Sequence, residues 1–415
     1  MTKNANDLDS FNGIVRAIVR GNYSLQKLRI QMENRISANW KDKLGFESEN
    51  KTQDQIDKQE KKIIKILCES FAEITDTVVM KVSEQDDVLE DEAIPEIGKL
   101  PSVKRFKGNG TISKYSELVL MSQYIDILRA EKTQFKMLKS VLKGIPIYDK
   151  FLSSVSGIGP AMAGVIISEI NIHVAEYPSS LHMYAGLDTV VSGMYKDENG
   201  KECRVPSWEI NAYYEDPNNE GQPMLYKGKY LVDFRTVGRT RKEESLVKRT
   251  YIDKDGVECV RNSISFNPFL KTKLVGVLGT SFLRAGSCYV DGKKMGAPLR
   301  KKLAASMGFE GTVSADVDNF LRSNGHAVEY QYSKYGKIYN DYKNRLDNDV
   351  RHTEKTKQHK HNMAIRYAVK RFLVDLYVEW RTLEGLPVAE EYSVAKLGYT
   401  HGKAGGGKPS HNSNQ

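Results

Sequence analysis

Two glycines flank an isoleucine at Gly157-Ile158-Gly159, directly ahead of Pro160 and an apolar run. Glycine suits a tight turn, and proline suits the first position of a helix, where a missing N–H costs nothing. Backbone N–H groups at such a turn point outward and, with the helix dipole behind them, can hold a phosphate. Leu152, Val155, Ile158, Ala163 and Ile166 give the apolar frame of two short helices closing on the turn, a helix–hairpin–helix. A motif of this kind contacts the nucleic-acid backbone and carries no base information. The same spacing suits a tight helix–helix corner that touches no nucleic acid. On the phosphate reading, replacing Gly157 and Gly159 together by valine should weaken binding to DNA of any sequence while the fold is kept.

A second constellation is basic. Between Arg351 and Arg371 stand Arg351, Lys355, Lys357, Lys360, Arg366, Lys370 and Arg371 against Glu354 alone, with His352, His359 and His361 as further donors. A basic segment leading into a helix suits salt-dependent phosphate contacts, and a solvated helix face is the alternative. Arg235, Arg239, Arg241 and Lys242 form another cluster, with Tyr230 and Phe234 as aromatics for stacking on bases. The histidines have no cysteine nearby. The cysteines, Cys68, Cys203, Cys259 and Cys288, form no C-x-x-C pair. No zinc site and no disulfide is expected, and the pattern names no cofactor.

These motifs fall in a familiar order. The G-I-G hairpin and its small-residue helix are followed by Tyr184-Ala185-Gly186-Leu187, then Ser192-Gly193, then Asn267-Pro268-Phe269-Leu270. Last comes His361-Asn362-Met363-Ala364-Ile365-Arg366-Tyr367, leading to Lys370-Arg371-Phe372-Leu373. In this the chain resembles the C-terminal domain of the insertion-sequence transposases related to the Piv-type DNA invertases, over roughly half its length and in pieces. The resemblance implies a DNA-binding, transposase-like protein acting in DNA transposition and recombination. In those enzymes a serine of this domain attacks a DNA phosphodiester and holds the strand covalently, and Ser192 stands in its place. A hydroxyl needs a base or cation to become a nucleophile, and cations must offset charge developing on the phosphate. Arg204, Arg366 and Lys370 are the candidates. Gly157, Ile158 and Gly159, with Arg204, Lys360, His361, Arg366, Lys370 and Arg371, are the expected DNA contacts. The alternative for Ser192 is an ordinary Ser-Gly turn.

The full transposases begin with a RuvC-like domain holding four metal-binding acids. Here Asp7 and Asp9 precede a helix instead, so a stand-alone relative of the C-terminal domain is expected. DNA is the expected partner, and the family reading adds a structured RNA, a separately encoded nuclease and further copies of this chain. A non-catalytic nucleic-acid-binding protein that kept the scaffold is the second reading. A helical protein whose hairpin only packs helices is the third.

The elements that must position these groups follow from periodicity. Apolar residues at intervals of three, four or seven predict helices over 10–40, 61–82, 114–142, 267–284, 329–348 and 362–383, the last with Ile365, Val369, Phe372, Leu376, Trp380 and Leu383 on one face. Residues 47–60 read as polar and exposed, and 84–110 as a linker. The pattern Y-x-D-x-[ND]-G-x-E-C occurs twice, from Tyr195 to Cys203 and from Tyr251 to Cys259. It predicts two β-hairpins with type I′ tips at Asn199-Gly200 and Asp255-Gly256. The expected fold is mainly α with a β-hairpin insertion: a helical region over 1–145, a transposase C-terminal-like domain over 146–193 and 263–390, a β-rich insertion over 194–262, and a largely disordered tail over 391–415.

Composition bounds the rest. The 415 residues are 40% hydrophobic and 28% charged, with a formal net charge of +9. Length allows two or three domains, and the basic excess favours a polyanionic partner. No apolar run long enough to span a bilayer occurs, and the start lacks the apolar stretch of a signal peptide, so a cytoplasmic protein is expected.

Overall fold

The structure, a computed structural model, describes residues 11–46, 53–77, 100–196, 200, 202–204, 225–226, 229–238, 246–311 and 313–390. The expected tail over 391–415 lies outside them. The chain forms two compact units, Met1–Ile145 and Pro146–Gln415. Among the described residues no helix is long and apolar enough to cross a membrane. The architecture is mainly α with a β-hairpin insertion.

The first unit is built on α1 (Phe11–Trp40), α2 (Gln53–Thr75) and α3 (Tyr115–Leu142). Its core joins Ile36 and Trp40 of α1, Leu67 and Phe71 of α2, and Leu118, Met121 and Ile125 of α3. The helix α2 starts at Gln53, ahead of the expected Lys61. Its first turns carry little apolar signal, but Gln, Lys and Glu are good helix formers, so propensity extends the helix. Residues 100–110, expected to be linker, pack instead: Leu100 and Phe106 lie against this core and Trp40 Nε1 donates to the Thr111 carbonyl at 2.9 Å. Between α1 and α3, Arg29 donates to Glu131 and to Glu33, each at 2.7 Å, and the Tyr124 hydroxyl donates to Glu33 at 3.0 Å.

The second unit begins with α4 (Pro146–Lys150), a 3-10 turn (Leu152–Ser154), α5 (Pro160–Glu169) and α6 (Pro178–Tyr184). Then come β1 (Thr189–Lys196), β2 (Glu202–Arg204), β3 (Leu225–Tyr226) and β4 (Lys229–Gly238), paired antiparallel in the order β2-β1-β4-β3. The strands β5 (Leu246–Ile252) and β6 (Glu258–Ile264) make a separate two-stranded ribbon. The repeated sequence gives repeated pairing: Tyr195 faces Cys203 and Lys196 faces Glu202, as Tyr251 faces Cys259 and Ile252 faces Glu258.

The tip of the second hairpin differs from the expected type I′ turn. Gly256 alone has positive φ, +80°, and the Asp253 N–H donates to Val257 at 3.0 Å around a three-residue loop. The cause is Asp253, whose carboxylate accepts from the N–H groups of Asp255 and Val257, both at 2.9 Å. That side chain builds the turn, so positive φ is needed only at the glycine. In the first hairpin Asn199 lies outside the described residues, and Gly200 has φ +74°.

The expected helix over 267–284 is α7 (Pro268–Thr272), a π turn (Lys273–Leu278) and α8 (Gly279–Arg284). A small lobe follows that periodicity did not reveal: β7 (Ser287–Val290), β8 (Lys293–Lys294), α9 (Ala297–Ser306), α10 (Ser314–Ser323) and β9 (Val328–Gln331), with strand order β8-β7-β9. Cys288, Val290, Ala304, Val317, Leu321 and Val328 form its core. Arg300 and Asp318, both buried, are joined at 2.7 Å. The helix expected from 329 is therefore shortened to α11 (Lys334–Asn348), because its first residues complete this sheet.

The chain then runs into α12 (Lys357–Leu383), which carries the centre of the unit. Ile365, Val369, Phe372, Leu376 and Trp380 are buried along it. Phe372 stacks on Phe151 at 6.3 Å and meets Phe282 and Tyr335 edge-on at 5.6 and 5.5 Å. Aromatic pairs of this geometry add about 0.5–1.5 kcal/mol each beyond their buried area. They tie α12 to the residues before the glycine hairpin, to α8 and to α11.

Candidate nucleic-acid interface

The glycine hairpin is built as its residues require. Gly157 has φ +99°, and a Cβ there would sit 3.1 Å from the backbone carbonyl of Ser281, so the turn presses on α8. Ile158 is buried and its N–H donates to the Val155 carbonyl at 3.0 Å. Its expected role as a DNA contact is corrected: the side chain pins the turn to the core and the N–H is already used. Gly159 is different. It is exposed, caps α5 with φ −93° and ψ 174°, and nothing lies within 4 Å of where its Cβ would be. Pro160 follows at the first position of α5, and the N–H groups of a first helical turn have no intrahelical acceptor. The open end of this motif is at Gly159.

The basic residues of the last helix divide by burial. Lys360 is buried, with its ammonium 3.3 Å from Asp347 of α11, so it anchors two helices and is not a phosphate contact. The reason is periodic: residues 360 and 364 share the face that packs inward. His361 Nδ1 lies 2.6 Å from the Tyr339 hydroxyl. Burial, with Lys343 adding to it, holds this imidazole below its ordinary value and favours the neutral ring. Arg351 is bonded to Asp349 at 2.7 Å, and Lys355 to the His352 ring at 2.9 Å.

Arg366 is exposed, and Lys370, one turn on, is half-buried. Burial lowers the Lys370 ammonium from its ordinary value; Asp188 opposes the shift and Arg366 adds to it, so these three charges share one region. Arg371 is half-buried near Tyr335, whose hydroxyl is held above its ordinary value by burial and by Asp375, with Arg371 opposing the shift. Beside Arg366, Tyr367 stacks on Tyr342 of α11 at 4.2 Å. Sequence reasoning passed over this tyrosine pair, although two tyrosines on adjoining basic helices were its signal.

The segment from Tyr184 to Ser192 is tied to the same region. The α6 helix ends in a Schellman turn: the Leu187 N–H donates to His182 at 2.8 Å and the Gly186 N–H to Met183 at 3.0 Å. The His182 ring lies 3.2 Å from the Lys370 carbonyl, which holds α6 to α12. Asn267 links three elements. Its side chain caps α7 by accepting from Leu270 N–H at 3.0 Å, and donates to buried Glu169 of α5 at 2.6 Å and to the Tyr184 hydroxyl at 3.0 Å. The family-like Y-A-G-L and N-P-F-L segments thus meet through one amide.

Ser192 is not in a turn. It lies within β1, in register with Arg235 of β4, while Met194 is in register with Arg204 of β2. Directly opposite residues in an antiparallel pair have Cβ atoms about 4.5–5.5 Å apart. Arg235, read only as one of a cluster, is the register neighbour of the serine. A strand advances about 3.3 Å per residue, so Ser192 stands about 13 Å along the chain from Asp188, the residue that acts on Lys370. Gly159 is the exposed start of α5, and Arg366 is an exposed position within α12.

Among the described residues no group of three or more His, Cys, Asp or Glu is placed to hold a metal ion. Compared with protein-family models, curated proteins and solved structures, the chain has no match in any of the three.

Proposed function

We propose that this chain is a DNA-binding, transposase-like protein that acts in DNA recombination, with Ser192 as nucleophile. The observation that carries the reading is that one compact unit presents an open helix start at Gly159 and an exposed Arg366 with half-buried Lys370 one turn on, and that Asp188, just before Ser192's strand, lies by Lys370. A phosphate seated at the N–H groups after Gly159 gains from the helix dipole and from charge-assisted bonds of about 1.5–3 kcal/mol. In the reaction the Ser192 oxygen bonds to phosphorus, the bond to the leaving sugar oxygen breaks, and the hydroxyl proton passes to a base. Arg235 and Arg204, by register, are the cations that would offset the phosphate charge. The second reading, a non-catalytic nucleic-acid-binding protein on the same scaffold, is favoured by the position of Ser192 within a strand paired on both sides. Denaturing gels of protein incubated with end-labelled duplex test both. A covalent adduct that Ser192→Ala abolishes supports the enzyme reading. Binding without adduct leaves the second, and absence of binding refutes both.

A further inference from the structure

The ribbon of β5 and β6 carries a feature that folding alone does not explain. Arg249 and Arg261 stand directly opposite each other across the antiparallel pair, and both are exposed. Like charges in this position, with Cβ atoms about 5 Å apart, destabilise the pairing. The ribbon has little to spare: two strands without a third are marginal in water, and beyond its half-buried root it is exposed on both faces. Positions alternate between faces, so Arg249, Arg261 and the next pair, Tyr251 and Cys259, share a face. The Arg261 guanidinium lies over the exposed Tyr251 ring, 5.1 Å from its centroid. On this face the next acid is Asp253, whose carboxylate is taken up by the tip. Glu258 is in register with Ile252, on the opposite face. Two arginines in register on one face are relieved by an anion that bridges them, and guanidinium matches phosphate oxygens bidentately.

We propose that the Arg249–Arg261 pair is a second DNA contact, a clamp on the phosphate backbone of the duplex held by the rest of this unit. The inference rests on the DNA-binding reading above. The acids Asp253, Asp255 and Glu258 surround the tip and repel a polyanion. The ribbon therefore lies along the backbone by the middle of its stem and does not insert its tip into a groove.

The test compares the full chain with Arg249→Gln/Arg261→Gln, using fluorescence anisotropy on a labelled duplex over a range of salt, with thermal melting as the check on fold. Each lost phosphate contact lowers the slope of log K against log salt by about 0.9. The double variant should bind several-fold to about tenfold more weakly near 0.15 M salt, with the slope reduced by about one to two. In the free protein, Arg249→Gln alone should slow hydrogen exchange at Thr250 and Val260, because it relieves the repulsion and leaves the Arg261–Tyr251 contact in place. A wild-type protein that binds while the double variant matches it in affinity and slope overturns the clamp and leaves the DNA reading standing. A wild-type protein that binds no duplex at low salt refutes both. Exchange that does not slow in the single variant overturns the claim that the pair is strained.

Discussion

Gly159→Asp separates binding from folding at the glycine hairpin. Gly159 is the N-cap of α5, in extended backbone that any residue adopts, with open space around its Cβ position. Aspartate is among the best N-caps and exceeds glycine there by a few tenths of a kcal/mol. Its carboxylate would accept from the first-turn N–H groups and also favour the helix dipole. The variant should therefore melt at or slightly above the wild-type temperature. The same carboxylate occupies the seat proposed for a phosphate and repels it. Losing one charge-assisted contact costs about 1.5–3 kcal/mol, which is about a 10- to 150-fold loss of affinity for duplex DNA. Anisotropy titration reads the loss and calorimetry reads the melting point. A stable variant with unchanged affinity refutes the phosphate seat. Gly157 cannot serve this purpose. At φ +99°, with the Ser281 carbonyl 3.1 Å from a new Cβ, any side chain meets backbone strain of about 1–3 kcal/mol and overpacking of about 1–3 kcal/mol. Against a total stability of about 5–15 kcal/mol, the expectation that Gly157 and Gly159 can both become valine with the fold kept is corrected: the first change alone damages the fold.

Two further outcomes follow from single contacts. Asn267→Ala should cost about 2–4 kcal/mol in urea unfolding, from the lost cap and the lost bond to buried Glu169; Asn267→Asp keeps the cap yet should be worse, since it sets a second carboxylate where the amide now lies 2.6 Å from Glu169, and a rescue by aspartate would refute the linking role. His361, whose ordinary value of 6.5 is lowered by burial and by Lys343, binds its proton more weakly folded than unfolded; stability is thus present above about 6.5 and lost as pH falls below it, a decline that His361→Gln should reduce in urea midpoints measured from about pH 7.5 to about pH 5.5, and an undiminished decline would place its source elsewhere.

The long helices were legible because an inward stripe repeats every three or four residues, and α12 shows its expected face buried without exception from Ile365 to Trp380. The small lobe was not legible by that route. Its strands are two to four residues long, too short for a period to register, and its two helices are only ten residues each. A signal was nevertheless there. Asp291-Gly292 joins β7 to β8 with Val290 opposite Lys293, and both turn residues have positive φ, +51° and +76°. This is the two-residue type I′ tip expected at Asp255-Gly256. One dipeptide makes the tight turn at 291 and a looser one at 255 because Asp253 supplies an acceptor to the loop. At 291 the aspartate side chain turns instead to Ala327 and His326, at 2.9 and 2.6 Å. The neighbour decides the turn type, and neighbours across space are what a linear pattern omits.

The same limit governs the candidate site. G-I-G, Y-A-G-L and N-P-F-L each name a local geometry that the backbone then adopts: a helix start, a Schellman end and a capped helix start. Such motifs are legible because their hydrogen bonds close within a few residues. The count of positive charge is not legible in this way. Of the basic run from 351 to 371, Arg351, Lys355, Lys360 and His361 are engaged by Asp349, His352, Asp347 and Tyr339. Two of these contacts, Lys360 with Asp347 and His361 with Tyr339, join α12 to α11, and the other two are local. Exposed along the run stand Lys357, His359 and Arg366, with Lys370 half-buried one turn after Arg366. Lys370 is costly to keep charged: its ammonium is lowered by burial and supported by Asp188. Burial disfavours this ammonium and a bound phosphate, like Asp188, would favour it, so a Lys370 contact should gain more from the anion than an exposed lysine would, whereas a lysine left facing water gains little.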